Sequence, residues 1–218
     1  MISVAIDGPA GAGKSTVAKL LAERLNFMYI NTGAMYRIVT LKALKNNIEP
    51  DDVQKLCELI DSMNMYFNGN NLIVNGVNTS DKIYSHLISQ NVSRYAAVSE
   101  IRQKLVKIQK CLSDKFNVVM DGRDIGTVVL KNAPFKFFLI ASPEERARRR
   151  YNELVKKNIE VDYDSLLKEI IQRDYMDSHR EIAPLKKADD AIEIDSTNLS
   201  IEQVVLIMEE YITKKLIK

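Results

Sequence analysis

This chain is short of the features that mark several common roles. Only two cysteines occur in 218 residues, Cys57 and Cys111, and neither has metal or redox spacing. Both are expected to be reduced and packed within helices. The two histidines, His86 and His179, stand apart, so a histidine metal site is not indicated. No apolar stretch approaches the ~18 residues that would span a bilayer. No basic n-region or cleavable apolar segment precedes the first strand, and a cytoplasmic protein is expected. Net charge is only +2, from 31 basic and 29 acidic side chains. Such a balance gives no general electrostatic case for nucleic acid or anionic membrane, so any basic patch must be local. The N-K-x-D motif that reads guanine is missing, which counts against a GTPase. The H-R-D and D-F-G set of protein kinases is missing too. Neither internal repeats nor low-complexity stretches are present. What is there, 46% hydrophobic and 28% charged residues, is the composition of an ordinary soluble globular protein, and the length suits one domain with a sizeable core and room for an insertion.

The most informative stretch is ISVAIDGPAGAGKST, residues 2–16. Gly8, Gly13, Lys14 and Ser15 satisfy G-x-x-x-x-G-K-[ST]. A β-branched run, Ile2 to Ile6, precedes them, and a helical face of Val17, Leu20, Leu21 and Leu25 follows. Glycines remove bulk so that successive backbone N–H groups can turn onto phosphate oxygens. The following helix adds its unpaired N–H groups and the positive end of its dipole. The loop Gly8, Pro9, Ala10, Gly11, Ala12, Gly13, with Lys14, Ser15 and Thr16, therefore implies a bound nucleoside triphosphate. Lys14 would reach the β- and γ-phosphates, and the Ser15 hydroxyl would face Mg²⁺.

Strand-like runs at Ile2–Ile6, Met28–Ile30, Val118–Met120, Phe135–Ile140 and Ala191–Ile194 alternate with helical segments. This predicts a parallel α/β sheet covered on both faces. Between about Met65 and Asp81 the rhythm breaks into short strands with Asn/Gly turns, which predicts a small antiparallel sheet inserted in the main fold. Helices are expected at Tyr84–Asn91 and Arg94–Asp114. Ser142-Pro143-Glu144-Glu145 and Ser200-Ile201-Glu202-Gln203 each read as a capping box.

Four constellations carry chemistry. Thr32 could cap the helix after the second strand, and Arg37 lies one turn into it at the carboxyl edge of the sheet, where an arginine can clamp a phosphate. The strand Val118–Met120 delivers Asp121 to that edge as a Walker-B aspartate would be delivered, and Gly122 and Gly126 present Arg123 and Asp124 together. A structural ion pair is the competing reading of that loop. EERARRR, residues 144–150, puts Arg146, Arg149 and Arg150 on adjacent helical turns. A solvated face or a nucleic-acid patch explains so dense a cluster less well than a mobile flap closing over a polyphosphate. Arg173, Asp177 and Arg180 are spaced to share one helix face, either as ordinary surface pairs or as a site for sugar hydroxyls and phosphate. The surplus of arginines suggests a phosphorylated acceptor. An acceptor phosphate with a second pKa near ~6 is largely ionised at pH 7 and needs no general base.

IDGPAGAGKST, NTGAMYR, DGRDIGTVV, ERARRRYNEL, QRDYMDSHR with IAPLKKADDA, and IDSTNLSIEQV together resemble the bacterial cytidylate kinases nearly end to end. The resemblance implies a P-loop fold with a five-stranded parallel sheet, helices on both faces, an antiparallel nucleotide-binding insertion and an arginine-rich lid. It implies a single domain, with core at about 1–62, 115–142 and 182–218, insertion at about 63–114 and lid at about 143–165. The implied reaction is Mg²⁺-dependent transfer of the γ-phosphoryl group of ATP to CMP or dCMP by a monomer, with neither nucleic acid nor membrane as partner. By motif, Arg37 and Arg123 clamp the acceptor phosphate, and Ser93, Arg102 and Asp124 read cytosine. Arg173 and Asp177 hold sugar hydroxyls, with Arg180 between phosphate and base, and Thr32 and Tyr36 complete the acceptor site. Lys14, Arg123, Arg146, Arg150 and Arg180 would act on the transferring group, Arg149 on ATP, and Ser15 with Asp121 on the metal. One departure is visible: family members commonly carry aspartate where this chain has Asn31.

Overall fold

Along the chain the elements are β1 (Ser3–Asp7), α1 (Lys14–Leu25), β2 (Met28–Asn31), α2 (Thr32–Lys45), α3 (Val53–Asp61), β3 (Met65–Asn68), β4 (Asn71–Val74) and β5 (Val77–Asn78). There follow α4 (His86–Ala96), α5 (Ser99–Lys115), β6 (Val118–Gly122), β7 (Phe135–Ile140), α6 (Pro143–Lys156), α7 (Tyr163–His179), β8 (Ile192–Asp195) and α8 (Ile201–Leu216). The computed structural model describes residues 1–80 and 82–216.

A five-stranded sheet runs β2-β6-β1-β7-β8 with every pairing parallel. Its central strand is covered on both faces, so it is apolar from Val4 to Ile6 before it ends at Asp7. Side chains alternate across the sheet. Val4, Ile6, Val119, Phe135 and Phe137 pack with Val17 and Leu21 of α1 and Val205 and Met208 of α8. Ala5, Val118 and Met120 face the other way, against Met35 and Val39 of α2, Leu56 of α3, and Ile101 and Leu105 of α5. Burying each of these larger side chains contributes ~1.5–3 kcal/mol, so packing rather than helix propensity holds the layers.

The antiparallel insertion is present as β3-β4-β5. Asn75 and Gly76 both have positive φ, 51° and 78°, the conformation of a two-residue hairpin turn whose twist matches its strands. Met65, Phe67, Leu72 and Val74 are buried in the same cluster as α2 and α5, so this sheet shares the main core rather than having one of its own. Its strands end at Asn78, and Asp81, the expected limit, lies outside the described residues.

Several local expectations need correction. The α2 cap is Asn31, not Thr32: Asn31 Oδ1 accepts from Ala34 N at 2.9 Å, while Thr32 Oγ1 donates to the Asp121 carbonyl at 2.7 Å. Ser85 caps α4, which starts at His86, and the break between α4 and α5 falls at Ala97–Val98, later than expected. Ser142 caps α6 by accepting from Glu145 N, but the reciprocal half of the box is missing, since Glu145 pairs with Arg148 and Arg149 instead. At α8 both halves form, with Gln203 N to Ser200 Oγ at 3.2 Å and Ser200 N to Gln203 Oε1 at 2.8 Å. Cys57 is partly buried as expected, whereas Cys111 lies exposed on the outer side of α5. Among the described residues no helix is long and apolar enough to cross a membrane.

Candidate active site

The chain leaves β1 through Gly8, whose φ is +145°, and a Cβ there would lie 2.0 Å from the Leu139 carbonyl oxygen. Only glycine lets the loop pass this close to β7. Residues 9–13 then curl back to α1, which begins at Lys14 with no side-chain hydrogen bond at its Gly13 cap. Its first N–H groups are thus left for an anion. Lys14 is buried, with Nζ donating to the Pro9 carbonyl at 2.6 Å. Burial, reinforced by Arg123, pushes its ammonium well below the usual lysine range, while Asp121 and Asp7 pull the other way. Ser15 and Thr16 are exposed beside the loop.

Asp121 ends the apolar run of β6 and accepts from Ser15 Oγ and Tyr29 OH, each at 2.8 Å. Burial raises its carboxyl pKa, and Lys14, Ser15 and Tyr29 oppose that rise. Its backbone carbonyl takes the Thr32 bond, so one residue ties β2, α1 and α2 together at the carboxyl edge.

Asp7 was not singled out from the sequence, although a carboxylate closing an apolar strand just before a glycine loop was a usable signal. Its two oxygens accept from Ile125 N and Gly126 N, each at 2.7 Å, which fixes the turn that presents Arg123 and Asp124. Residues 125–129 follow as one π-helical turn, a geometry common beside functional sites. Burial pushes the Asp7 carboxyl up to about 6 despite those two bonds. The folded state then holds a proton that the unfolded chain has released between pH 3.8 and about 6, so this group's contribution to stability falls as pH rises through that window. In urea unfolding, the advantage of wild type over Asp7→Asn is expected to shrink by roughly 2–3 kcal/mol between pH 4 and 7. A difference that stays flat would mean the carboxyl is ionised throughout.

All ten residues assigned to an acceptor by resemblance, Thr32, Tyr36, Arg37, Ser93, Arg102, Arg123, Asp124, Arg173, Asp177 and Arg180, line one cleft. They arrive from α2, α4, α5, the end of β6 and α7. Arg180 lies one residue past α7 in extended backbone, not on the helix face with Arg173 and Asp177 as its spacing suggested, yet it still enters the cleft. Five guanidinium groups face two carboxylates there. Arg102 pairs with Asp124 and also donates to the Ala96 carbonyl at 3.0 Å. Arg123 Nε donates to Asp177 Oδ2 at 2.9 Å, and Ser93 Oγ donates to Asp177 Oδ1 at 3.3 Å. Arg180 lies 3.7 Å from Asp124. Burial tends to raise the Asp177 pKa, but Arg123, Arg173 and Arg180 hold it below the usual carboxylate value. Arg37 and Arg173 are each lowered to about 10, chiefly by burial and then by neighbouring arginines. Among the described residues, Arg173 Nε and Arg180 Nη2 are buried without a hydrogen-bond acceptor. A dense positive cleft with orphaned donors is suited to an anion carrying several acceptor oxygens.

The expected lid arginines differ from one another. Arg146 is buried, donating to the carbonyls of Ala141 (2.9 Å) and Ala10 (3.0 Å) and bidentately to Asp174 (3.1 and 2.6 Å). It braces the glycine loop against α6 and α7. Arg149 donates to the Ser196 carbonyl at 2.6 Å and lies beside Gly13. Arg150 is partly exposed and held by Glu153 at 2.8 Å.

Comparison with known proteins shows the family. A family model described as cytidylate kinase matches residues 4–214. A cytidylate kinase of Clostridium acetobutylicum is 60% identical over 215 residues, covering 99% of each chain. One of Clostridium botulinum is 61% identical over 204 residues, covering 94% of each. In fold alone, a shikimate kinase from Bacteroides thetaiotaomicron superposes with TM-score 0.50 at 14% identity, covering 97% of this chain and 98% of its own. A carboxyl-edge loop built for phosphate, a cleft of convergent arginines and these likenesses lead to one conclusion: the chain belongs to the cytidylate kinase family.

Proposed function

We propose that this enzyme transfers the γ-phosphoryl group of ATP to CMP or dCMP, giving ADP and CDP or dCDP. The observation that carries this reading is the acceptor cleft, in which five arginines face two carboxylates beside the glycine loop. The triphosphate lies in the N–H cradle of residues 8–16, with Lys14 exchanging the Pro9 carbonyl for the β- and γ-phosphates. Ser15 and Asp121 offer two hard oxygens 2.8 Å apart, and among the described residues no cluster of three His, Cys, Asp or Glu forms a cage. That donor set fits Mg²⁺, which keeps waters and takes its remaining ligands from phosphate. When bound, the ion would neutralise charge on the phosphates.

Arg37 and Arg123 hold the acceptor phosphate. One of its oxygens forms the new bond to the γ-phosphorus as the bond to the β–γ bridging oxygen breaks and ADP leaves. The attacking oxygen is already ionised, so no side chain need remove a proton. Asp124 accepts from the exocyclic amine of cytosine, and Arg102 and Ser93 complete base recognition; uracil would present a carbonyl to Asp124 and be repelled. Asp177 and Arg173 take sugar hydroxyls, Arg180 spans phosphate and base, and Thr32 and Tyr36 wall the site. Arg149 lies beside the donor. Arg150 need release only Glu153 to reach the transferring group when residues 143–165 close as a lid, whereas Arg146 would have to leave Asp174 and Ala10. The core, the 63–114 insertion and the lid form one domain, active as a monomer in the cytoplasm and using neither nucleic acid nor membrane.

A coupled assay with Mg-ATP across CMP, dCMP, UMP and AMP tests this. CMP and dCMP should exceed the others in kcat/KM by ~100-fold or more, since a site built to bond a group rejects analogues lacking it. Preference for UMP or AMP would overturn the assignment.

A further inference from the structure

The segment joining β5 to α4 reaches back onto α2 through Ile83 and Tyr84. The Tyr84 ring centroid lies 5.2 Å from the Arg37 guanidinium carbon. Its hydroxyl accepts from Asn31 Nδ2 at 3.4 Å. Arg37 Nη1 donates to the Ile83 carbonyl at 3.3 Å and to Ser89 Oγ at 3.0 Å. One short stretch thus seats this guanidinium from three directions. Ile83 is fully buried and anchors the stretch, while Tyr84 is 51% exposed, so core packing does not require an aromatic ring there. Asn31 ties in from the other side. Its Oδ1 is used by the Ala34 N–H of the α2 cap, which leaves its Nδ2 donor for the tyrosine oxygen. An aspartate would place a second acceptor there instead.

We propose that Tyr84 is a positioning residue that holds the Arg37 guanidinium where the acceptor's phosphate binds, with Asn31 orienting its hydroxyl. The proposal rests on the acceptor reading given above. An arginine flexible about its own side chain loses less freedom on binding phosphate when it is already seated. The ring face also compensates a cation that burial disfavours. Tyr84 is not among the residues that line the acceptor cleft, so it acts through Arg37.

The test is calorimetric titration with CMP and with cytidine, which lacks the phosphate, on wild type, Tyr84→Leu, Tyr84→Phe and Arg37→Ala. Tyr84→Leu should bind CMP about 5-fold more weakly, which ~1 kcal/mol for ordering an unseated arginine side chain corresponds to, and cytidine unchanged. Tyr84→Phe, which keeps the ring, should restore most of the CMP affinity. In the Arg37→Ala background, Tyr84→Leu should have no further effect. Unaltered CMP binding in Tyr84→Leu, or equal weakening toward CMP and cytidine, would overturn the role, the second by showing a general disturbance of the cleft. If wild type itself does not bind CMP, the acceptor reading fails and this role with it, and that titration alone identifies which has failed.

Discussion

Lys14→Ala should lower kcat by roughly 10³-fold, the scale on which a preorganised electrostatic contact to a transferring group acts. The melting temperature should hold or rise. Lys14 is buried, its ammonium bonds only a loop carbonyl among the described residues, and burial disfavours its charged form in the folded protein. By linkage, a group whose folded pKa is depressed below its unfolded value costs stability wherever it is charged, so removing it relieves the native state at neutral pH. Thermal melts beside single-turnover assays separate the two effects. A fall of many degrees would mean that the side chain supports the loop rather than awaiting a ligand.

Asp124→Asn is expected to cost both stability and selectivity. Asp124 is buried against Arg102 and lies 3.7 Å from Arg180, and removing one member of a buried ion pair costs about 3–5 kcal/mol because the remaining charge is left uncompensated. An amide can also turn its NH₂ toward the base and accept uracil. The CMP-to-UMP ratio of kcat/KM should therefore collapse by ~100-fold. The ratio is the proper readout, because a partly unfolded preparation lowers both rates alike. If it stays at the wild-type value while the protein is folded, Asp124 does not read the base.

Elements set by local chemistry were legible in the chain. The β1-loop-α1 unit, the Asn-Gly hairpin and the Ser200 capping box each follow from residues a few positions apart. Position along the sheet edge was legible too, because strands ending in Asp121 or followed by Arg37 must deliver those side chains to one rim. Contacts made across long separations were not. Ser93 and Arg102 came only through resemblance, since nothing in the helical pattern of 86–115 shows which turns face β6 rather than solvent. Arg146 reads as one of three similar charges on a helix, and only the packed fold reveals its bonds to Ala10 and Asp174. Thr32 looked like the natural cap of α2, but the pull of the Asp121 carbonyl rotated its hydroxyl inward and left Asn31 to cap.

Arg123 and Asp177, read above as phosphate clamp and sugar ligand, are bonded to each other at 2.9 Å. A free inorganic anion that draws Arg123 away leaves the buried Asp177 carboxylate to Ser93 and the neighbouring Arg173 and Arg180 alone. On the acceptor reading a nucleotide would bring an oxyanion for one partner and hydroxyls for the other, and so could replace the bond at both ends. On that reading the bond would favour a nucleotide over a small free anion, and separating the two halves of the substrate should forfeit more than either half contributes alone.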